Sequence, residues 1–278
     1  MSTTPEVAPE GSRTGTGLPL VAVTGAAGRV GRITARALAG RYRLRLVDLD
    51  WPDDVAEDPM TEAVDEAERV AVDLRDSGAA AEALAGADLV LHLAAQPSPQ
   101  IGVREAVEDV AMPTANVIAA VRGRASTVRR VVYASSIHSM GLYDRHGRHP
   151  IDPAWPTHPC CEYGTAKVFG ENLLRLLTER SAVTVACLRL GLTGMLPETP
   201  HAVSHWLGDE DYGALVRGAL AAEVGFGCYF GVSVPGRSSW QVANAEDDLG
   251  YVPRLTPPEP GRPDPDRPGP DSICLMGG

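Results

Sequence analysis

A tyrosine and the only lysine of this 278-residue chain stand four positions apart in the segment EYGTAKVFG, residues 162–170. Residues at this spacing share one face of a helix, so the ammonium group of Lys167 can lie beside the phenol of Tyr163. A tyrosine in water has a pKa of about 10, and a nearby positive charge favours its ionised form and lowers that pKa. The pair therefore predicts a tyrosine that accepts or donates a proton near neutral pH.

Lysine suits this role better than arginine, because a compact ammonium group can bond ribose hydroxyls and relay a proton. The simpler alternative is a surface pair on an amphipathic helix. With 7 tyrosines in 278 residues, the only lysine has a low probability of falling four positions after one of them by chance. The catalytic interpretation is therefore favoured.

A serine at the end of a strand is the third candidate for this chemistry. Ser136 ends the apolar run RRVVYASS, upstream of Tyr163. In a parallel sheet, ligands bind at the carboxyl ends of the strands. Ser136 can therefore polarise the substrate oxygen on which Tyr163 acts. Ser135 is the neighbouring alternative, and a serine at such a place is often only a turn residue.

Three glycines, Gly25, Gly28 and Gly31, form the pattern G-x-x-G-x-x-G in VTGAAGRVG, between an apolar run and a helical pattern. Glycine permits the tight turn, lets the backbone approach a pyrophosphate and lets the helix pack closely on the sheet. The amide groups at the start of that helix would bind the phosphates. Glycines also occur in ordinary turns, but the strand before them and the helix after them favour a dinucleotide-binding loop.

An acid at the end of the second apolar run indicates which dinucleotide binds. Asp48 lies about 20 residues after the glycine loop, where a carboxylate accepts hydrogen bonds from the adenosine ribose. That carboxylate would repel a 2′-phosphate, which favours NAD over NADP. Arg29, inside the loop, is the one residue that could pair with such a phosphate. Asp50 and Asp53 are expected to be surface acids.

Short apolar runs alternate with helical patterns along the body of the chain. The runs predict strands within residues 18–25, 42–50, 69–74, 87–95, 129–136 and 181–191, and a helix over 28–40 ends at Gly40. Strands that alternate with helices at this spacing predict an α/β fold with a doubly wound parallel sheet. Residues 1–18 and 256–278 are rich in Pro, Gly, Ser or Thr and predict disordered tails on an ordered body over 19–255.

The composition argues against several classes of partner. A net charge of −11 and a pI near 5.1 disfavour nucleic acid and anionic membrane surfaces, since both require a basic patch. No apolar run approaches the ~18 residues of a membrane span, and the N-terminus lacks the apolar core of a secretory signal. The cysteines are odd in number without C-x-x-C spacing, which predicts reduced thiols in the cytoplasm and no metal site. They are Cys160, Cys161, Cys187, Cys228 and Cys274.

The segments TGAAGRVG, VDLD, AVDL, LHLAA, VYASS and YGTAK, in this order, make residues 19–255 similar to the extended short-chain dehydrogenase/reductase family. The resemblance implies a Rossmann fold, NAD as cofactor, and a homodimer formed by the helices that contain Asn116 and Lys167. It makes Ser136, Tyr163 and Lys167 the catalytic residues, with Ser136 preferred over Ser135. It implies cofactor contacts for Gly25, Gly28, Arg29, Val30, Gly31, Asp48, Asp73, Leu74, Leu93, Ala94, Ala95, Tyr163 and Lys167.

Within this family, the chain departs from the dehydratases and from the large epimerases. The dehydratases carry an Asp-Glu pair shortly after the serine, where this chain has Ile137 and His138. The epimerases hold a nucleotide-sugar with a large C-terminal lobe. Here an NAD-binding domain over 19–191 leaves only residues 192–255 for a small substrate-binding lobe, so a small-molecule substrate is expected.

The segments SSIHSMG, HWLGDEDYGALV, YFGVS and RSSWQVANAEDDLGYVPR resemble the uronate dehydrogenase group of the family. In that group Asn-His follows the serine, and an arginine five residues before a Trp-Leu pair holds the substrate carboxylate. His138 matches the histidine, whereas Ile137 replaces the asparagine and His201 replaces the arginine. The resemblance implies substrate contacts for Ser136, Ile137, His138, Tyr163 and His201. His201 and His205 are equally typical of ordinary loop histidines.

The sequence as a whole predicts an NAD-dependent oxidoreductase that moves a hydride to or from a small polyhydroxylated substrate, such as a sugar or a secondary metabolite. The weaker carboxylate clamp at His201 favours a substrate other than a uronate. One alternative is a sugar epimerase with tightly bound NAD. The other is a non-catalytic NAD-binding protein, which is disfavoured because Tyr163 and Lys167 are both present.

Overall fold

The computed structural model describes residues 17–51, 67–233 and 239–259. Its strands are β1 (Leu20–Thr24), β2 (Arg43–Asp48), β3 (Glu68–Ala71), β4 (Leu89–His92), β5 (Arg130–Ser136), β6 (Thr184–Leu190), β7 (Leu192–Thr193), β8 (Trp206–Leu207) and β9 (Phe226–Gly231). Its helices are α1 (Arg29–Leu38), α2 (Ser77–Leu84), α3 (Val103–Ala106), α4 (Met112–Val121), α5 (Gly141–Arg145), α6 (Glu162–Arg180), α7 (Pro200–Val203), α8 (Asp209–Ala221) and α9 (Ala243–Leu249). A π-helical turn over Val107–Ala111 joins α3 to α4, and a 3₁₀ turn over Ile137–Ser139 follows β5.

Some expectations fall on residues whose structure is not described. The predicted tails lie outside the described ranges apart from residues 17–18 and 256–259, and so do Asp53 and Cys274. Among the helices that are described, none is both long and apolar enough to cross a membrane.

Seven of the strands form one parallel sheet in the order β3-β2-β1-β4-β5-β6-β9. The direction of winding reverses at β1, where Thr24 pairs with Val47 of β2 on one side and with His92 of β4 on the other. Ligands of such sheets bind at the carboxyl ends of the strands beside this reversal. The predicted doubly wound α/β fold is confirmed, and each of the six predicted strands is present.

Apolar side chains cover both faces of the sheet, as expected when helices pack on each side of parallel strands. On one face, Val23 of β1 packs in a cluster with Leu38 of α1 and Tyr212 of α8. The cluster on the other face includes Val117 of α4 and Leu174 of α6. All five side chains are buried, and this two-sided packing fixes the carboxyl ends of the strands from which the loops of the site extend.

Helix α6 carries the Tyr-Lys pair and begins close to the end of β5. Cys161 caps this helix, because its Sγ accepts a hydrogen bond from the amide of Gly164 at 3.4 Å. A side chain at Gly164 would collide with the carbonyl oxygen of His138, so glycine permits the first turn to pack on the backbone that follows β5. Tyr163 and Lys167 are both buried, which agrees with the predicted shared helix face.

The chain after β6 does not form a wholly separate lobe. Strand β9 pairs in parallel with β6 in the main sheet, and α8 packs against α1. The expected boundary at residue 191 therefore falls inside the Rossmann sheet, because parallel pairing recruits β9 as its seventh strand. The two-stranded β7–β8 sheet and a bridge between Ile151 and Trp240 stand apart from that sheet.

Candidate active site

A cleft of about 1090 Å³ opens where β1, β4, β5 and β6 reach their carboxyl ends. It brings together every residue that the sequence analysis assigned to cofactor, substrate or catalysis. These residues are Gly25, Gly28, Arg29, Val30, Gly31, Asp48, Asp73, Leu74, Leu93, Ala94, Ala95, Ser136, Ile137, His138, Tyr163, Lys167 and His201. Their roles within the cleft stay predictions.

The cleft also has walls that the sequence analysis missed. Gln96 and Pro97 line it directly after the predicted Ala95, so extending the LHLAA motif by two residues would have included them. Asp109 and Thr193 line it as well, although neither lies in a recognised motif. Only the folding of the chain brings these last two residues to the cleft.

Backbone crowding explains the glycines of the β1–α1 loop. Gly25 has a φ of +72°, and a Cβ atom there would lie 2.7 Å from the amide nitrogen of Ala94. A Cβ atom at Gly31 would overlap with the carbonyl oxygen of Gly25. Gly28 is the N-terminal cap of α1, whose first turn carries no acidic residue. The loop is a close-packed cradle beside a helix start without negative charge, and it fits a pyrophosphate.

Asp48 ties this loop to the end of β2. Its Oδ2 accepts a hydrogen bond from the amide of Ala27 at 2.8 Å, and its Oδ1 accepts from the amide of Leu49 at 2.7 Å. The carboxylate also lines the cleft, where it can accept from ribose hydroxyls and would repel a 2′-phosphate. Arg29 lines the same cleft with its aliphatic part next to Gly194.

An ion pair and an asparagine hold the segment after β3. Arg75 Nη2 lies 2.8 Å from Asp73 Oδ2, and hydrogen bonding by Arg75 lowers the pKa of the Asp73 carboxyl. The side-chain amide of Asn116 on α4 donates to the backbone oxygens of Leu74 and Arg75, at 2.9 and 2.8 Å. These contacts fix the edge of the cleft where the family resemblance implies that Asp73 and Leu74 contact the cofactor.

Burial dominates the electrostatics of the Tyr163–Lys167 pair. Desolvation raises the pKa of the Tyr163 phenol above its usual value, although a hydrogen bond with Ser136 acts in the opposite direction. Desolvation also lowers the pKa of Lys167 to about 7, and the charge of Glu171 opposes this shift. The Lys167 Nζ lies 5.5 Å from the centre of the Tyr163 ring. Burial is therefore the largest influence on the pKa of Tyr163 in this structure, and the lowering of that pKa by Lys167 stays a prediction.

The two serines at the end of β5 have different partners. Ser135 Oγ donates to Glu171 Oε1 at 2.5 Å, and Glu171 Oε2 also accepts from Arg189 Nη2 at 2.8 Å. Ser136 Oγ accepts from the amide of His138 at 3.2 Å, and this bond does not use its hydroxyl proton. Ser135 therefore supports a buried ion pair, whereas the hydroxyl of Ser136 lies at the cleft and hydrogen-bonds with Tyr163. The arrangement favours Ser136 as the residue that orients a substrate oxygen.

A fully buried histidine connects the sheet to α4 beside the cleft. Thr114 Oγ1 donates to the oxygen of Val110 at 2.8 Å, so it accepts the Nε2–H of His92 at 3.0 Å. The Nδ1 of His92 then accepts from Thr24 Oγ1 at 2.7 Å. Burial, together with the charge of Lys167, lowers the pKa of His92 to about 3. The ring is neutral at neutral pH and links β1, β4 and α4.

His138 stands between the cleft and two adjacent cysteines. Its ring meets the ring of Tyr163 edge-on, with the centroids 5.9 Å apart. Its Nδ1 lies 3.3 Å from Cys160 Sγ, and the amide of Cys160 donates to its carbonyl oxygen at 3.2 Å. Cys161 follows as the cap of α6, and neither cysteine forms a disulfide. Ile137 lines the cleft beside His138, and its contact with the substrate stays a prediction.

His201 belongs to a cluster around a buried carboxylate. The Nε2 of His205 lies 3.1 Å from the Nε2 of His201 and 3.3 Å from Asp144 Oδ2. His149 also faces this carboxylate, with its Nε2 3.5 Å from Asp144 Oδ1. Burial acts to raise the pKa of Asp144, but the hydrogen bond from His205 and the nearby imidazoles of His201 and His149 lower it overall. The cluster therefore favours an ionised Asp144 beside the cleft.

The indole of Trp240 determines which tautomer His205 adopts in this cluster. Trp240 Nε1 donates to His205 Nδ1 at 3.0 Å. An indole nitrogen only donates, so the proton of the neutral His205 ring is on Nε2 and points toward Asp144 and His201. Histidines that bind a metal donate from their other nitrogen instead. The cluster is therefore a hydrogen-bonded network, and it presents His201 as part of the cleft wall.

The fold and the cleft define a Rossmann protein that binds a dinucleotide. A model of the NAD dependent epimerase/dehydratase family matches residues 21–201. The chain belongs to this family, and it is an NAD-dependent short-chain dehydrogenase/reductase whose cofactor is NAD.

Three proteins of known identity show how far the similarity extends. The uronate dehydrogenase of Pseudomonas putida is 29% identical over 84% of this chain and 82% of its own length. The NAD-dependent glucose-6-phosphate dehydrogenase of Haloferax volcanii is 28% identical over 84% of this chain and 92% of its own. The crystal structure of a mutant uronate dehydrogenase from Agrobacterium tumefaciens complexed with NAD has a TM-score of 0.75 and 27% identity, covering 94% of this chain and 96% of that chain. The resemblance to uronate dehydrogenases is confirmed.

Proposed function

We propose that the protein transfers a hydride between NAD and a hydroxyl or carbonyl carbon of a small, polyhydroxylated, sugar-like substrate. The observation that carries this proposal is that Ser136, Tyr163 and Lys167 line the same cleft as the glycine loop. The relatives named as uronate and glucose-6-phosphate dehydrogenases support a substrate of this chemistry.

The residues at one side of the cleft would hold the cofactor. The cradle of Gly25 and Gly31 and the start of α1 suit the pyrophosphate, while Asp48 suits the adenosine ribose. Lys167 suits the second ribose, because its ammonium group is buried beside Tyr163. When bound, NAD⁺ supplies the carbon that accepts the hydride and a positive charge that favours a phenolate.

Tyr163 handles the proton that accompanies each hydride. In reduction, the buried phenol is protonated at neutral pH and donates its proton to the substrate oxygen. In oxidation, the ionised phenol oxygen of Tyr163 takes the proton of the substrate hydroxyl. Ser136 donates a hydrogen bond that orients the substrate oxygen. Lys167, with a pKa of about 7, gains and loses a proton easily at neutral pH and is suited to relay it.

The substrate end of the cleft lacks a bidentate carboxylate clamp at the position of His201. An imidazole offers one hydrogen bond where a guanidinium group offers two in a fixed fork. The Asp144–His205 network beside His201 supports a directed donor at this position. This geometry suits a hydroxyl or ring oxygen of a neutral sugar or cyclitol better than a uronate carboxylate.

A panel of uronates, neutral aldoses and cyclitols, assayed by NADH formation, tests the substrate class. We expect a neutral member to have the highest kcat/KM, and His201→Arg to shift the preference toward uronates. A wild-type enzyme that prefers uronates would contradict the assignment of His201.

Replacing the phenol tests the catalytic assignment. Tyr163→Phe is expected to lower kcat by about 10²–10⁴-fold and to leave the NAD Kd unchanged, because only the proton-transferring hydroxyl is removed. Lys167→Arg should also lose most of its activity, since a guanidinium group does not give up its proton. Tyr42→Phe, a half-buried tyrosine outside the cleft, is the matched control and should keep full turnover. Retained activity in Tyr163→Phe would contradict the proposed role of Tyr163.

A sugar epimerase with tightly bound NAD is the second candidate, supported by the family to which the chain belongs. Such an enzyme oxidises and re-reduces one carbon, so a sugar product forms without net NADH. Protein that is purified with NAD bound and converts a sugar without an absorbance change would establish it. NAD binding without turnover of any panel member would instead indicate a non-catalytic NAD-binding protein.

The proposal includes a homodimer in the cytoplasm. Phe169 and Leu176 are exposed apolar residues on one face of α6, seven positions apart. Helices α4 and α6 pack together, and further exposed apolar side chains lie on α3, on the π-helical turn and on α4. They are Val103, Val107 and Met112. A second copy of the chain would cover this apolar face, and the four described cysteines, none of which forms a disulfide, suit a reducing compartment.

A further inference from the structure

Three metal-ligating side chains converge behind the wall of the cleft. The Sγ atoms of Cys160 and Cys161 and a ring nitrogen of His138 all lie within 4.8 Å of one another. In a tetrahedral zinc site, bonds of about 2.3 Å to sulfur and about 2.1 Å to nitrogen place neighbouring ligand atoms about 3.5–3.8 Å apart. The contact of 3.3 Å between His138 Nδ1 and Cys160 Sγ is close to that separation.

The backbone holds these three residues in place. The amide of His138 donates to Ser136 Oγ at 3.2 Å, and the amide of Cys160 donates to the oxygen of His138 at 3.2 Å. Cys161 caps the 19-residue helix α6, so its Sγ is held at the first turn of that helix. All three side chains are half-buried, so an ion can reach them from solvent. Their positions follow from the fold and do not depend on an ion.

The chemistry of the donors selects the ion. Two thiolates and one imidazole are soft or borderline ligands, a set that zinc prefers over magnesium or calcium. The other cluster of this kind in the described residues lies around Asp144. There, Trp240 donates to His205 Nδ1, so His205 Nε2 carries a proton and cannot bind an ion. At His138, by contrast, the thiol of Cys160 can give up its proton to make room for an ion.

The cysteine spacing by itself predicts no metal site, because the sequence does not show His138 beside the two thiols. From their convergence in the fold we propose that His138, Cys160 and Cys161 bind one Zn²⁺ ion, with a fourth position open to water. Binding releases the two thiol protons and changes no oxidation state, and the zinc with its two thiolates carries no net charge. The ion would join the end of β5 to the start of α6, which carries Tyr163. This site is separate from the NAD cradle and does not depend on the identity of the substrate.

Cobalt is the probe for this site, because cobalt bound to thiolate has a charge-transfer absorption that aqueous cobalt lacks. Reduced wild-type protein, titrated with Co²⁺ in the absence of NAD and substrate, should show this band saturating at one equivalent per chain. Added Zn²⁺ should abolish the band and raise the Tm by mass action. No thiolate band, or a band that Zn²⁺ does not displace, would overturn the proposal.

Cysteine variants localise the ion. Removing a residue that only hydrogen-bonds to a metal ligand already weakens metal binding by about 10-fold. Cys160→Ser and Cys161→Ser each remove a ligand, so each should weaken Co²⁺ binding by more than this. Cys228→Ser removes a half-buried cysteine of β9 outside the cluster and should bind as the wild type does. His138→Gln provides a further variant if a serine variant loses its wild-type circular dichroism spectrum. Equal binding by the cluster variants and by Cys228→Ser would show that the ion lies elsewhere.

Discussion

Tyr163, Lys167 and His92 are all buried, and loss of water shifts each toward its neutral form. Burial raises the pKa of the phenol, and it lowers the pKa of Lys167 to about 7 and that of His92 to about 3. At the scale of the residue, the pair that the sequence presents as a phenol beside a full positive charge is therefore a pair close to neutrality.

His92 makes the stability of the protein depend on pH. Its folded-state pKa of about 3 lies below the value of 6.5 for an unperturbed ring, so the unfolded state binds more protons between these values. The free energy of unfolding therefore decreases as the pH falls from about 6.5 toward 3, by up to about 1.4 kcal/mol per pH unit.

Urea titrations at a series of pH values measure this contribution. His92→Gln should have a smaller decrease in the free energy of unfolding across this window than the wild type. The exposed His146→Gln should keep the wild-type dependence. A His92→Gln variant with the wild-type pH dependence would refute the assignment of the shift to this residue.

At the scale of the element, the β1–α1 loop shows how a strand and a helix create a binding surface together. Gly25 takes a left-handed conformation next to the backbone of Ala94, which follows β4, so the loop is clamped between two strand ends. Helix α6 is clamped in a similar way, because Glu171 connects it to Ser135 of β5 and to Arg189 of β6. These contacts fix the position of the β1–α1 loop relative to helix α6, on the two sides of the cleft.

Two glycines separate the effect of backbone strain from that of close packing. Gly25 and Gly40 both have a φ of +72°, but a Cβ at Gly25 would lie 2.7 Å from Ala94 N, whereas nothing lies within 4 Å of a Cβ at Gly40. We expect Gly40→Ala to lower the free energy of unfolding by about 1–2 kcal/mol through strain alone. Gly25→Ala should lower it further and weaken NAD binding, because the loop must shift.

Urea unfolding and calorimetric NAD titrations of both variants test this difference. Gly40→Ala serves as the control, and its NAD Kd should equal that of the wild type. Equal losses of stability in the two variants, with NAD affinity unaffected in both, would mean that the approach of Gly25 to Ala94 has no role in the cradle.

At the scale of the whole molecule, the exposed apolar face of α6 is the feature that the monomer leaves unexplained. Phe169 is 43% exposed on this face, and Val252 is 44% exposed on the C-terminal segment after α9. If two copies pair through α6, Phe169→Glu introduces a charge into the interface and should yield monomers, because an unpaired buried charge is costly. Val252→Glu, with the same change in charge and exposure, should leave the dimer intact.

Sedimentation equilibrium over a range of protein concentrations gives the oligomeric state of both variants. A wild-type protein that is monomeric at all concentrations, or a Phe169→Glu variant that stays dimeric, would contradict the proposed homodimer. Circular dichroism shows whether each variant keeps the wild-type fold.

Much of the fold and part of the site followed from the sequence because they depend on neighbouring residues. The alternation of strands and helices, the three glycines, Asp48 at the end of β2 and the Tyr-Lys helix face are each encoded within a short segment. Local spacing sets backbone conformation and the face of a helix on which a side chain lies, so a single segment is sufficient to predict them.

The tertiary structure decided what depends on residues far apart and on the exclusion of water. Pairing with β6 made β9 part of the sheet. Ser135 donates to Glu171 of α6, whereas Ser136 hydrogen-bonds with Tyr163 at the cleft. Folding also placed His138 against Cys160 and surrounded Asp144 with histidines. Burial, which no local pattern specifies, raises the pKa of the Tyr163 phenol. The sequence by itself determined which groups can do the chemistry, and only the packed structure determined their partners and charge, because both are set by contacts between distant segments.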